Sequence, residues 1–255
     1  MKRRVALTLG VLAVAGAVVG GALAIAGGDG GPGVDASAPD ETEFPPDLSP
    51  YRPHIDPADF VATIDNPYLP FEPGTTLFYE GTSEGEKETD EVFVTHETKE
   101  ILGVTCVVVR DIVRADGEIT EKTFDWYAQD RFGNVWYFGE DSHEYENGKP
   151  INAAGSWEAG VDGALPGIVM LGDPQVGDRY RQEYYAGKAE DLGGILKLDA
   201  SVTVPYGSFD SVLVTKDSTP LEPNVLEHKY YAPGVGLVME QSMRGPKEAF
   251  ELVAV

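Results

Sequence analysis

Cysteine is nearly missing from this chain. Cys106 is the only one among 255 residues, so an intramolecular disulfide is excluded. It lies in the β-branched run Thr105-Cys106-Val107-Val108-Val109, where a buried structural thiol is expected; a catalytic thiol wants a polar, electropositive setting. Histidine is scarce as well. His54, His96, His143 and His228 form no His-x-His or His-x-x-x-His pair, which leaves a zinc site without local support. His96 and His228 fall in expected strands and are read as partly buried structural residues. Basic residues are few: 19 against 43 acids, a formal charge of -24. That balance excludes nucleic acid as a partner, because phosphates need Lys and Arg. It also argues against anionic lipid surfaces. There is no Gly-rich phosphate loop, no dinucleotide fingerprint and no Gly-x-Ser-x-Gly elbow. Catalytic residues are therefore unknown at this level, no cofactor is nominated, and a non-enzymatic role is favoured.

The N-terminus carries the compartment. Lys2, Arg3 and Arg4 precede an uncharged run over 5–26, the pattern of a secretory signal. Ala24-Ile25-Ala26 fits a small-x-small cleavage site. The run also approaches the ~20 residues that span a bilayer, so residues 1–26 are either a signal peptide or an N-terminal membrane anchor. Both readings place the rest outside the cytoplasm, secreted or tethered, with the membrane touched only through this segment. No cysteine follows the run to take a lipid. Without residues 1–26 the chain holds 43 acids and 16 bases, or -27. Residues 27–60, rich in Gly, Pro and acid, read as a disordered tether with few packed contacts.

Residues 61–255 read as one β-rich domain. Strand patterns occur at 75–79, 91–98, 104–113, 119–128, 135–138, 180–185, 200–204, 211–216, 226–231, 236–242 and 249–253. Asp116-Gly117 and Asn147-Gly148 are hairpin signals. The stretch 158–178 looks irregular, and 188–198 has room for a short helix weakened by Gly193-Gly194. Consecutive strands with tight turns imply a mainly β antiparallel meander closing into a curved sheet, half-barrel or barrel, with a β-sandwich as alternative.

Oxygen ligands are plentiful around one turn. Asp125, Asp130, Asn134, Glu140 and Asp141 lie within seventeen residues, and a calcium ion is the metal such a set would select. The hairpin would bring Asp125 or Asp130 back towards Glu140. No EF-hand spacing is present, and Asp130 with Gly133-Asn134 also explains itself as turn chemistry. Paired carboxylates beside Trp126, Trp136, Tyr137 and Trp157 leave a carbohydrate hydrolase as an alternative, although those aromatics also suit a sheet core.

Three stretches carry a resemblance. Val204-Pro205-Tyr206-Gly207-Ser208-Phe209-Asp210, then Tyr230-Tyr231-Ala232-Pro233-Gly234-Val235-Gly236-Leu237-Val238, resemble the C-terminal pattern of a broad group of bacterial envelope proteins. Asp125-Trp126-Tyr127-Ala128-Gln129-Asp130 with 133–140 is similar to a signature of uncharacterised secreted bacterial proteins. The resemblance implies an exported curved antiparallel sheet or half-barrel and brings no catalytic residues with it. The expected role is binding of a small or apolar ligand or an envelope component, with a carboxylate hydrolase or calcium-binding surface protein as alternatives. Oligomeric state is left open.

Overall fold

The computed structural model describes residues 50–255. The leader or anchor reading of 1–26, and the tether up to residue 49, lie outside the described residues. A 3-10 turn, Pro57–Asp59, opens the fold. The first strands are β1 Phe60–Val61, β2 Thr76–Ser83, β3 Glu86–Ile101, β4 Val104–Ala115, β5 Glu118–Asp130 and β6 Val135–Glu146. Short pieces follow: β7 Lys149–Asn152, β8 Trp157–Glu158, β9 Leu165–Met170, β10 Arg179–Arg181 and β11 Glu183–Tyr184. The C-terminal set is β12 Leu192–Val204, β13 Gly207–Ser218, β14 Leu226–Ala232, β15 Gly236–Arg244 and β16 Glu248–Ala254.

Every pairing is antiparallel, in the order β10-β12-β13-β14-β15-β16-β2-β3-β4-β5-β6-β9-β11. The two ends of that path, β10 and β11, are neighbours in the chain, separated by Gln182 alone. The sheet therefore curls into a nearly closed barrel, as the meander pattern implies, and is not split into a two-sheet sandwich. Closure removes the exposed edges that an open sheet of this size would carry. Both central residues have positive φ in the Asp116-Gly117 and Asn147-Gly148 turns, the type I′ geometry their side chains allow.

Three local expectations need correcting. The stretch 158–178 is not wholly irregular, since it contains β9. No helix forms at 188–198; most of it is β12, because Gly193 and Gly194 let β10 pair closely. A Cβ on Gly193 would come within 2.4 Å of the Tyr180 ring. His96 is exposed, not partly buried, because β3 slips register between Val94 and Thr98 and turns it outward. His228 is half-buried and Cys106 fully buried. Burial pushes the Cys106 thiol up to about 12, an inert state.

Residues 51–60 lie against the sheet although their composition suits a tether. Phe60 pairs with Asp130 and stacks edge-on against Trp136 and Phe138, at 6.3 and 5.6 Å between centroids. Phe60→Ala is expected to cost about 2 kcal/mol of apolar burial and ring contact. For a domain of this size that lowers Tm by about 4–8 °C. Calorimetry of the full chain checks it, and an unchanged Tm would mean that the entering segment carries no packing energy.

Candidate functional site: an acidic barrel interior

Inward-facing positions recur every second residue along each strand. Towards one end of the barrel they are apolar or aromatic. Val92, Val94, Val109, Leu213, Leu237 and Leu252 pack there with Tyr127 and Tyr137, whose rings stack at 4.9 Å. Further along the same strands the inward positions turn polar. Asp90 on β3, Asp111 on β4, Glu121 and Asp125 on β5, and Glu140 on β6 are all buried. On the opposite wall lie Asp217 on β13, Glu227 and Lys229 on β14, Glu240 on β15 and Glu248 on β16, also buried. Glu183 and Asp191 sit between the two groups.

Burial controls the chemistry of these carboxyls, because a low-dielectric surround disfavours the charged form. Asp90 is pushed up to about 7 by burial, opposed by its contact with the Asp111 carboxyl, although neither Asp90 oxygen makes a well-formed hydrogen bond. The pair is diagonal across β3 and β4, with Asp90 opposite Val113 and Asp111 opposite Val92. Asp125 is likewise pushed up to about 7 by burial, against the hydrogen bond it accepts from the Tyr137 hydroxyl at 2.8 Å. Burial first, then repulsion from neighbouring acids, holds Asp111, Glu140 and Glu183 well above the usual carboxylate range. Glu140 lies directly opposite Asp125 in the β5–β6 register. Glu248, which accepts a 2.6 Å bond from Ser83, is raised by burial to about 7.

The opposite wall is organised around a cation. Burial works against the Lys229 ammonium, but Glu240, Asp217 and Glu227 outweigh it and keep the group charged. Lys229 is 1% exposed. Its carboxylate partners stand at 3.5 Å (Asp217) and 3.7 Å (Glu240), longer than the ~2.8 Å of a tight charge-assisted hydrogen bond. Around it the buried oxygens of Tyr180 Oη, Thr215 Oγ1, Asp217 Oδ1 and Tyr231 Oη make no hydrogen bond. Thr215 and Glu240 are its direct cross-strand neighbours. Such a concentration of unmet buried polar atoms is unusual for a folded chain.

The five residues singled out for calcium do not converge. Asp125 and Glu140 face the interior. Asp130 spends both oxygens on its own turn: Oδ1 accepts from the Phe132 and Asn134 amides, Oδ2 from Asn134 Nδ2 and Trp136 Nε1. Asn134 Oδ1 accepts from the Gly172 amide. Asp141 points outward beside His143, at 3.4 Å. Among the described residues no group of three His, Cys, Asp or Glu side chains is arranged to hold a metal ion. Trp126, Tyr137 and Trp157 are buried in the core.

Sequence reasoning missed Asp90, Asp111, Glu121, Glu183, Asp191, Asp217, Glu227, Lys229, Glu240 and Glu248. An acid on an alternating strand reads as its wet face. The signal that finds them is phase. Asp90-x-Val92-x-Val94, Val109-x-Asp111-x-Val113, Glu227-x-Lys229-x-Tyr231 and Glu248-x-Phe250-x-Leu252 place the charges in step with core residues.

Fold and site together define a class: a nearly closed antiparallel β-barrel with one packed apolar end and an acidic interior around one lysine. No protein-family model matches the chain, and no curated protein matches it. Two solved structures are similar. One, from Bacteroides fragilis, is described as exported with a YmcC-like fold: 14% identity, 73% of this chain and 97% of that one covered, TM-score 0.41. The other, from Parabacteroides distasonis, is described as a lipoprotein: 14% identity, 73% and 96% covered, TM-score 0.41.

Proposed function

We propose that this chain is an exported, extracytoplasmic barrel that works by binding, and that its occupant is a small polar or cationic species, not an apolar one. The observation that carries the reading is the set of unmet polar atoms around Lys229, in an interior whose other walls are acidic. Buried donors and acceptors of this kind each cost about 1–3 kcal/mol until something meets them. An occupant with hydrogen-bonding groups recovers that cost, whereas an apolar one leaves it standing. Export is supported by the basic-then-apolar N-terminal sequence.

Native mass spectrometry of the full exported chain, purified from its own envelope, tests both halves. A retained adduct, reduced in Lys229→Met, is the expected result. Thermal shifts with calcium, magnesium and putrescine against chelator then sort the adduct by class. A bare mass together with no shift from any of the three would overturn the reading.

A further inference from the structure

We propose that the junction between β9 and β11 is the door of the barrel, clasped from outside by Tyr51, and that Glu183 sets how readily it opens. The purpose of the door rests on the reading of the interior as a binding chamber; its existence rests on the geometry of the junction.

Along the path of the barrel the ladder is shortest at this line. Only two residue pairs join β9 to β11, Glu183 with Pro166 and Tyr184 with Leu165. Pro166 has no N–H to give to the ladder. On its other side the same segment is held more firmly. Three pairs join β10 to β12, and Gln182 N–H donates to Asp191 O and Ile195 N–H to Asp178 O, at 2.8 and 2.9 Å. The segment 178–186 would therefore move with β12 and part from β9. Gly177 and Gly187 bracket it, both in the left-handed region, at φ 97° and 72°. In the closed state it seats on Gly167, where a Cβ would stand 2.3 Å from the Gln182 carbonyl.

Outside, Tyr51 spans the line. Its hydroxyl donates to Pro166 O on β9 at 2.8 Å, and its ring meets Tyr184 on β11 at 6.1 Å. The Arg181 guanidinium lies over both rings, 5.7 Å from Tyr51 and 4.7 Å from Tyr184. Inside, Glu183 faces Asp191 before β12, Glu140 on β6, Tyr137 beside it, the Trp157 indole on β8 and, further off, Lys229 on β14. Burial raises its carboxyl, Asp191 and Glu140 raise it more, and the Trp157 contact and Lys229 lower it. Yet Glu183 Oε2 and Trp157 Nε1 make no well-formed hydrogen bond. Ionisation of Glu183 thus charges the inner face of this junction against two other acids. The closed state is favoured at acidic pH and the open one as pH rises.

Hydrogen exchange of the full chain, corrected for intrinsic rates, reads the opening directly. At pH 9 peptides covering 165–170 and 183–185 are expected to exchange at least tenfold faster relative to β4 than they do at pH 5. Glu183→Gln should remove most of that difference. Tyr51→Phe should speed the same peptides severalfold at both pH values without touching β4, and Gly167→Ala more strongly still. Junction peptides as protected as β4 at both pH values, or a pH ratio unchanged by Glu183→Gln, would overturn the door. Opening without any retained adduct would keep the door and remove the binding role; an adduct without opening would do the reverse.

Discussion

Lys229→Met is expected to lower Tm by roughly 10 °C at pH 8 and by only a few degrees at pH 5. Methionine matches the lysine stem in length, so little packing is lost. What is lost is the one cation among Asp217, Glu227 and Glu240. Removing one partner of a buried ionic cluster typically costs about 3–5 kcal/mol, because the remaining charge has no water to turn to. A domain of about two hundred residues loses about 2–4 °C per kcal/mol. Lowering the pH lets Glu227 and Glu240, which burial already raises, take protons, which removes much of the penalty. In the parent chain the ammonium is held charged well beyond neutrality, so its stabilising share is present throughout this range. Calorimetry of parent and variant at the two pH values decides it. An equal loss at both would show that the lysine acts through packing and not charge.

The second large effect runs against the habit of carboxylate-rich proteins. Asp90, Asp125 and Glu248 have folded values of about 7, above the ~4 of an unfolded chain. Between those limits the folded state holds protons that the unfolded state has released. Stability is therefore greatest at low pH and falls as pH rises through 4 to 7, by about 1.4 kcal/mol per pH unit for each retained proton. Asp111, Glu140 and Glu183, raised as well by burial and by neighbouring acids, act in the same direction. Tm in chelator should be higher at pH 5.5 than at pH 8, by ten degrees or more. The surface repulsion of a chain at -24 acts in the same direction, but it is screened within a Debye length of about 4–5 Å at 0.5 M salt. The buried share survives that salt, and Asp90→Asn with Asp111→Asn should flatten it. A Tm that is level or rising from pH 5.5 to 8 at high salt would contradict the protonated interior. A slope present in chelator and abolished by calcium would instead identify a cation as the group that replaces the protons.

The barrel itself was legible because its signals are local. The Asp116-Gly117 turn needs no partner to favour its geometry, and the alternation around Val92 and Val94 states one face of a strand whatever it pairs with. The same locality explains the failures. His96 was assigned a face by counting twos, and a bulge in β3 reset the count. Gly193 and Gly194 weaken a helix in isolation; only the approach of Tyr180 from a distant strand shows why glycine stands there. Of Asp125 and Asp130, either of which the hairpin could bring towards Glu140, it is Asp125 that lies opposite it; that both point inward, away from Asp130 and Asp141, is set by the closed sheet and not by the hairpin.

By itself the sequence determined the strand-rich class, the antiparallel order of most neighbours and the buried state of Cys106, each decided by contacts within a few dozen residues. Tertiary closure decided everything that gives the interior its character. Asp90 and Glu240 lie 150 positions apart and share one buried space around Tyr79 only because the sheet curls until β10 and β11 meet. The sign of a strand face is relative, and only closure says which face is inside. A charge costs little on one side and several kcal/mol on the other.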